Sequence, residues 1–168
     1  MADAHGIDDV NALDQAAFVA RFGHVYEDTP ELATAAWSRR PFADRDALLT
    51  AFVEAARALD DDAVLTLLRA HPALAVDATM AAASRREQRG AGLAVADDPV
   101  VDEIRSGNTR YELRFGFPFI VAVRGLTPRD IADAMARRLE NAPEQEVATA
   151  LEQVTRIACL RLEEMVDG

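Results

Sequence analysis

One histidine stands where a helix is expected to end. His71 follows an apolar stretch that contains Val64, Leu67 and Leu68, and it immediately precedes Pro72, which marks the end of the predicted helix. The helix dipole favours a protonated imidazole at such a position, and histidine is the side chain best suited to exchange protons near neutral pH. His71 is therefore a candidate general acid or base. The alternative is a helix-terminal histidine that bonds the last carbonyl groups.

A second candidate is a polar face on a short predicted helix. Ser84, Glu87 and Gln88 lie on one side of a helix that runs from Ser84 to Ala91. A hydroxyl, a carboxylate and an amide together suit a small polar heterocycle. The alternative is a solvated face that forms ion pairs within the helix, with the neighbouring arginines as partners: Arg85, Arg86 and Arg89.

The last predicted helix carries an arginine within its apolar stripe. Positions spaced by three or four residues place Arg161 in one row with the following residues: Val147, Leu151, Val154, Ala158 and Met165. An inward guanidinium needs a partner because a buried, unpaired charge costs several kcal/mol. Two interpretations stay open. Arg161 pairs with an internal carboxylate or extends past the core, or its planar fork binds a carboxylate or ureide ligand.

The remaining chemical groups indicate neither a metal site nor a nucleophile. The three histidines and the single cysteine form no HxxxH or CxxC pair, and no glycine-rich phosphate or dinucleotide motif occurs in the sequence. Cys159 falls within a predicted helix with no histidine nearby in sequence, so we interpret it as a small buried side chain. We predict no metal site.

The charge and cysteine usage exclude several classes of partner. The net charge is −11, from 29 acidic and 18 basic residues, and nucleic-acid binding needs basic residues that release counterions. One cysteine permits no intramolecular disulfide and fits a reducing compartment. No apolar run approaches the roughly 20 residues of a membrane helix, and the N-terminal residues lack a secretory pattern. We expect a soluble, cytoplasmic protein with no nucleic-acid and no membrane partner.

Helix signals recur along the whole chain, and strand alternation is absent. The predicted helices cover 11–22, 30–37, 44–56, 61–71, 84–91, 98–114, 128–141 and 143–166. Residues 1–10 are predicted to be a loose terminus, 75–83 are ambiguous, and 117–123 are predicted to be extended. The sequence therefore predicts an all-α fold of seven or eight helices that forms a single domain over residues 1–168.

Several motifs, taken in order, resemble those of the 2-oxo-4-hydroxy-4-carboxy-5-ureidoimidazoline (OHCU) decarboxylases. The motifs are His71-Pro72-Ala73-Leu74-Ala75, Ser84-Arg85-Arg86-Glu87-Gln88 with Ala91-Gly92-Leu93, Asn108 and Tyr111 with Phe115-Gly116-Phe117-Pro118-Phe119, Arg138-Leu139 with Asn141 and Glu146, and Leu160-Arg161-Leu162. Upstream lie Phe22-Gly23, Glu27, Trp37 and Arg40-Pro41-Phe42. The resemblance covers residues 18–166, nearly the whole chain.

This resemblance implies an all-helical enzyme, usually a homodimer, that decarboxylates OHCU to (S)-allantoin in urate degradation without a cofactor. It implies that His71 is the catalytic acid or base and that Glu87 and Arg161 complete the catalytic set. It also implies substrate contacts at Pro72, Ser84, Arg85, Arg86 and Gln88, and backbone contacts at Phe119, Ile120, Val121, Ala122 and Val123.

The stretch after His71 departs from the family pattern. Val76 stands where the family often has glycine, Ala73 replaces a frequent acidic residue, and the segment before Ser84 is shorter than expected. These departures bear on the shape of the loop. They leave open an enzyme of the same scaffold that acts on a different ureide. A non-catalytic helical binding module is the other alternative, and it gives no reason for His71, Glu87 and Arg161 to converge.

Overall fold

The computed structural model describes residues 6–75, 82–94 and 98–168, and within these ranges it contains nine α-helices and no β-strand. The helices are α1 (Ile7–Ala12), α2 (Gln15–Phe22), α3 (Glu31–Trp37), α4 (Arg45–Arg57), α5 (Asp61–Ala70), α6 (Ala82–Gly90), α7 (Pro99–Phe115), α8 (Pro128–Arg138) and α9 (Pro143–Met165). The all-α prediction is confirmed. Most of the ambiguous stretch 75–83, including Val76, lies outside the described residues.

The predicted first helix is in fact two helices. Asp14 is the N-cap of α2, and its carboxylate accepts a hydrogen bond from the amide of Ala17 at 2.8 Å. Leu13 before it has an extended backbone, so the chain changes direction there. The loose start predicted for residues 1–10 is wrong from Ile7 onward, because α1 begins there and Val10 is fully buried.

The other helix starts follow capping chemistry that can be read from the sequence. Asp44 and Asp98 cap α4 and α7 with their carboxylates, and Thr127 forms a reciprocal capping box with Asp130 at the start of α8. Thr29, the residue before the helix predicted to begin at Pro30, does not cap that helix. Helix α3 begins one residue after Pro30, and the Thr29 hydroxyl donates to the Glu27 carbonyl instead.

The chain divides into two compact units. The first comprises Met1–Ala70 with Val154–Gly168, and the second comprises His71–Gln153. Helix α9 therefore contributes residues to both units. The single domain expected from the sequence stays a prediction.

The core of the first unit is an aromatic cluster between short helices. Helix α3 packs on α2 and α4. The rings of Phe18, Phe22 and Phe52 lie 4.8–6.4 Å apart, and Tyr26 stacks on Phe52. Full burial of each such ring stabilises the fold by about 1.5–3 kcal/mol.

The core of the second unit lies where α7 packs on α8. Gly107 lies against Met135 of α8, whose side chain would have to move if a β-carbon stood at position 107. A second aromatic cluster joins Tyr111 of α7 to Phe117 and Phe119, and residues 117–123 form neither helix nor strand. The unit thus has a non-helical segment packed on the end of its longest complete helix.

The buried row of α9 differs from the predicted stripe in its first half. Glu146 and Ala150 are fully buried, whereas Val147 and Leu151 are only half-buried. The row continues through Val154, Ala158 and Arg161, which are buried as predicted, whereas Met165 at its end is only half-buried. A hydrophobic pattern cannot find this offset because Glu146 is a carboxylate whose burial depends on its partners.

Candidate active site

His71 begins a tight turn in the second unit. It follows the last residue of α5 and is 8% exposed. Residues 71–75, here called the 71–75 turn, end at Ala75, which has a left-handed backbone with φ of 60°. Residues other than glycine rarely adopt this backbone conformation, which costs about 1–2 kcal/mol. Surrounding contacts must therefore hold the turn in place.

Two side chains hold the strained end of the turn. The Gln88 amide oxygen accepts a hydrogen bond from the Ala75 amide at 2.8 Å, and its nitrogen donates to the Ala73 carbonyl at 3.3 Å. Arg105 donates from Nε to the Ala75 carbonyl at 2.9 Å. Both backbone groups of Ala75 are thus bonded to side chains of α6 and α7. Gln88 binds the turn, an interaction that the sequence-based assignment to substrate did not foresee.

The polar face of α6 is mostly buried. Ser84 and Gln88 are 2% and 6% exposed, and Glu87 is half-buried. The alternative of a solvated face is wrong for Ser84 and Gln88. The arginines that were considered as ion-pair partners or substrate contacts, Arg85 and Arg86, are exposed. Helix α6 therefore presents a hydroxyl and an amide inward, with the carboxylate of Glu87 at the edge of the buried face.

Side chains also fix the backbone of residues 119–123, here called the 119–123 segment. Asn108 Oδ1 accepts from the Phe119 amide at 3.3 Å, and Gln153 Oε1 accepts from the Ala122 amide at 3.0 Å. Arg138 Nη1 donates to the Ile120 carbonyl at 2.5 Å. The segment thus has an ordered backbone outside any helix, with Phe119 and Ile120 fully buried.

A buried carboxylate supports this segment. Glu146 is fully buried and bonds Arg138 at 2.6 Å, Asn141 at 2.7 Å and the Tyr111 hydroxyl. The Arg138 guanidinium also lies 4.5 Å from the centre of the Phe119 ring. Burial, and then the hydrogen bond to Glu146, raise the pKa of Tyr111 well above its usual value. These residues belong to motifs that resemble those of the OHCU decarboxylases, but the sequence alone indicates no role for them.

Asn108 connects the turn with the segment. Its Nδ2 donates to the Leu74 carbonyl at 2.9 Å, while its Oδ1 accepts from Phe119. The second unit therefore brings together three of the predicted parts of the site: the 71–75 turn, the inward face of α6 and the 119–123 segment. Together they supply an imidazole, a half-buried carboxylate and an ordered run of backbone groups. Such a set can bind a small polar molecule and move protons on it.

Arg161 belongs to the first unit and has its own partners there. It is 4% exposed, its Nη2 lies 3.2 Å from the Glu27 carboxylate, and its Nη1 donates to the Val25 carbonyl at 3.2 Å. The interpretation that Arg161 pairs with an internal carboxylate is thus correct. His24 is exposed, yet partial desolvation and the Arg161 charge lower its pKa, and Glu27 opposes this effect.

The described residues were also compared with the requirements of a metal site and of a membrane-spanning helix. Within them, no group of three or more histidine, cysteine, aspartate or glutamate side chains could hold a metal ion. No helix in the same ranges combines the length and apolarity that a membrane crossing requires.

Most of the chain is similar in sequence to known proteins. Residues 11–163 match the family model of OHCU decarboxylase. A 2-oxo-4-hydroxy-4-carboxy-5-ureidoimidazoline decarboxylase of Haloferax volcanii is 41% identical over 92% of this chain and 92% of its own length. The mouse protein of the same name is 38% identical over 94% of this chain and 90% of its own length.

Two solved structures share the architecture. One, described as (S)-allantoin synthase, superposes with a TM-score of 0.78 at 28% identity over 97% of this chain. The present chain spans 54% of that longer protein. The other, an OHCU decarboxylase in the presence of (S)-allantoin, has a TM-score of 0.67 over 80% of this chain and 89% of its own, and at 23% identity it supports the fold alone.

Proposed function

We propose that this chain, which belongs to the OHCU decarboxylase family, converts OHCU to (S)-allantoin in urate degradation. Family membership over nearly the full length is the observation that carries the proposal. The 71–75 turn, the inward face of α6 and the 119–123 segment support it, because these motif-bearing parts meet within one compact unit.

The reaction needs control of protons more than an electron sink. OHCU carries a carboxylate and a hydroxyl on one ring carbon, next to an imine. When the bond to the carboxylate breaks, carbon dioxide leaves and its electron pair forms a double bond to the neighbouring ring carbon. The π electrons of the imine move onto the imine nitrogen, which takes up a proton. The hydroxyl then loses its proton as a carbonyl forms, and the neighbouring carbon gains a proton on one face. We propose that no cofactor takes part, because the imine itself accepts the electron pair.

Within this reaction we assign His71 as the acid or base that exchanges the hydroxyl proton. A well-placed group of this kind contributes about 10²–10⁴-fold to the rate. Glu87 is proposed to bond the hydroxyl or the ureido arm. Ser84, Pro72 and the backbone of the 119–123 segment complete the contacts, which favours recognition of a planar, amide-rich ring.

Gln88 and the exposed arginines take different places in this proposal. The Gln88 amide bonds the 71–75 turn on both its oxygen and its nitrogen, so we assign it first to shaping the turn. Arg85 and Arg86 are exposed, and we assign them to the approach of an anionic substrate. Phe119 and Ala122 already donate their amides to side chains. The amides proposed to contact substrate are therefore those of Ile120, Val121 and Val123.

Arg161 is proposed to anchor an oxygen of the substrate as the third catalytic residue. The motif Leu160-Arg161-Leu162 and the planar fork of the side chain support this role. Its pairing with Glu27 also gives it a structural role, and substitution can separate the two.

We further propose that the protein acts as a homodimer in the cytoplasm, as the family resemblance implies. The single cysteine fits that compartment. A molar mass in solution equal to twice that of one chain would support the dimer, and a monomer at working concentration would refute it.

The function is tested by supplying the unstable substrate in place. Urate, uricase and hydroxyisourate hydrolase generate OHCU, and the fate of isotopically labelled carbon is followed by NMR with and without this protein. Faster loss of labelled carbon dioxide and accumulation of allantoin are expected. Profiling against other ureides and hydroxy acids separates an enzyme of different substrate range. Inactivity on all of them while the chain is folded would favour the non-catalytic binding module.

A further inference from the structure

We infer that Asn108 is a positioning residue for the proposed decarboxylation. It fixes the 71–75 turn, which carries His71, to the 119–123 segment, which carries the proposed backbone contacts. The inference rests on the proposed function for its kinetic consequences. The structural part of the inference is that the Asn108 side chain sets the spacing of these two parts. This part depends only on the hydrogen bonds of Asn108.

The geometry of Asn108 carries the inference. The side chain is 4% exposed and lies on α7, the longest helix that belongs wholly to the second unit. Its nitrogen donates to the Leu74 carbonyl at 2.9 Å, and its oxygen accepts from the Phe119 amide at 3.3 Å. Both bonds are made to backbone, so they fix the course of the chain in the two parts and not merely one side chain.

Only an amide of this length satisfies both bonds. The Leu74 carbonyl needs a donor and the Phe119 amide needs an acceptor, and asparagine presents both on one planar group. An aspartate would keep the acceptor and lose the donor, and it would place a buried negative charge against a carbonyl oxygen. A hydrophobic replacement would leave both backbone groups without their partner.

Four other side chains each make a hydrogen bond to one of the two parts. Gln88 and Arg105 bond the turn, whereas Arg138 and Gln153 bond the segment. Asn108 bonds both parts. Its loss would therefore leave each part locally ordered but would free their mutual spacing.

Mutual spacing matters because the proposed reaction uses both parts on one substrate. Backbone groups of the segment hold the ring while His71 exchanges a proton at one carbon substituent. A displacement of about 1 Å between a catalytic group and its substrate can lower a rate by about 10²-fold. Delivery of the new proton to one face depends on the same alignment.

The first test substitutes Asn108→Asp, with Thr109→Ala as a matched control on the exposed side of the same helix. We expect Asn108→Asp to lower kcat by about 10²-fold with little change in KM, and to lower the enantiomeric purity of the allantoin formed. The control variant is expected to match the wild type. Wild-type kcat and product handedness in a folded Asn108→Asp protein would overturn the inference.

A double-mutant cycle separates positioning from a general loss of stability. If Asn108 acts by aligning His71, then in a His71→Asn background the Asn108→Asp substitution changes the remaining rate by no more than about twofold. The same factor in both backgrounds would contradict the inference, because it would show that Asn108 acts independently of His71.

NMR of the substrate-free protein tests whether Asn108 links the two parts, independently of any catalytic activity. In the wild type we expect slowly exchanging side-chain amide protons on Asn108, with contacts to Leu74. In Asn108→Asp we expect both the His71 ring and the amides of the 119–123 segment to shift. An unmoved His71 ring would overturn the inference. Failure of the wild type to consume OHCU would instead refute the proposed function. If Asn108→Asp does not fold, the NMR contacts of Asn108 in the wild type still test the inference.

Discussion

At the scale of single residues, the proposed chemistry depends most on how His71 is held. A buried imidazole in a turn can exchange protons with a bound molecule only if the turn keeps its shape. The structure provides that constraint through Gln88 and Asn108, which bond the backbone on the C-terminal side of His71. The backbone beside the proposed catalytic histidine is thus held by neighbours to which we assign no chemical step.

Arg161 supplies a prediction at the same scale. Arg161→Lys keeps the positive charge beside Glu27 but removes the planar fork. If Arg161 anchors the substrate, kcat/KM falls by about 10²-fold because a point charge cannot orient the bound oxygen. The coupled OHCU assay measures this change.

His24 reports whether the ion pair survives that substitution. The Arg161 charge contributes to the lowered pKa of His24, so the pKa followed by NMR is expected to stay near its wild-type value in Arg161→Lys. Unchanged kinetics together with an unchanged His24 pKa would restrict Arg161 to its structural pairing with Glu27.

At the scale of elements, two glycine substitutions in the 71–75 turn are expected to change the free energy of unfolding in opposite directions. Ala75→Gly removes the steric cost of positive φ, and we expect a gain of about 0.5–1 kcal/mol in the free energy of unfolding after the entropy of glycine is counted. Ala73→Gly, where φ is not positive, is the control and is expected to lose about 0.5–1 kcal/mol. Denaturant titration measures both, and a loss in Ala75→Gly would contradict the strained turn.

Much of the element structure was predictable because its signals are local. Asp44, Asp98 and Thr127 are caps that the sequence displays directly, and Gly116 ends α7 in a left-handed conformation with φ of 79°. Proline at position 118 and the apolar residues around it predicted a non-helical segment. These features need only neighbours in sequence to form.

The supports of the site were not predictable because they depend on distant partners. Asn108 bonds residues 34 and 11 positions away, and Gln88 bonds Ala75 across 13 positions. Glu146 is buried among partners from α7, α8 and the turn before α9, so a hydrophobic pattern treats it as exposed and shifts the stripe of α9 by one residue. The family resemblance identified the residues but not which of them hold the others.

At the scale of the whole molecule, the two tyrosines predict a response to alkaline pH. Tyr26 and Tyr111 are the only tyrosines of the chain, and burial raises the pKa of each above its ordinary value. The unfolded chain releases these protons near pH 10, whereas the folded chain keeps them. Their contribution to stability is therefore fully present below about pH 10 and is lost as pH rises above it.

Absorbance and unfolding measurements between neutral and alkaline pH test this response. Tyrosinate absorbance is expected to appear together with unfolding and not before it. The chain has no lysine to obscure the titration. Above pH 10 the free energy of unfolding of the wild type is expected to fall with pH. In Tyr111→Phe this slope should be shallower by about 1.4 kcal/mol per pH unit. Titration of both tyrosines in the folded state would contradict their burial.

The activity proposed for the molecule as a whole is one stereospecific reaction. Because OHCU also decays without enzyme to racemic allantoin, the handedness of the product separates catalysis from background decay. The most direct measurement generates OHCU from urate in place, adds wild-type protein or the His71→Asn variant, and follows circular dichroism. We expect a rapid (S)-allantoin signal from the wild type and a rate lower by about 10²–10⁴-fold in the variant. An optically silent decay with the wild type, or full activity in the His71→Asn variant, would contradict it.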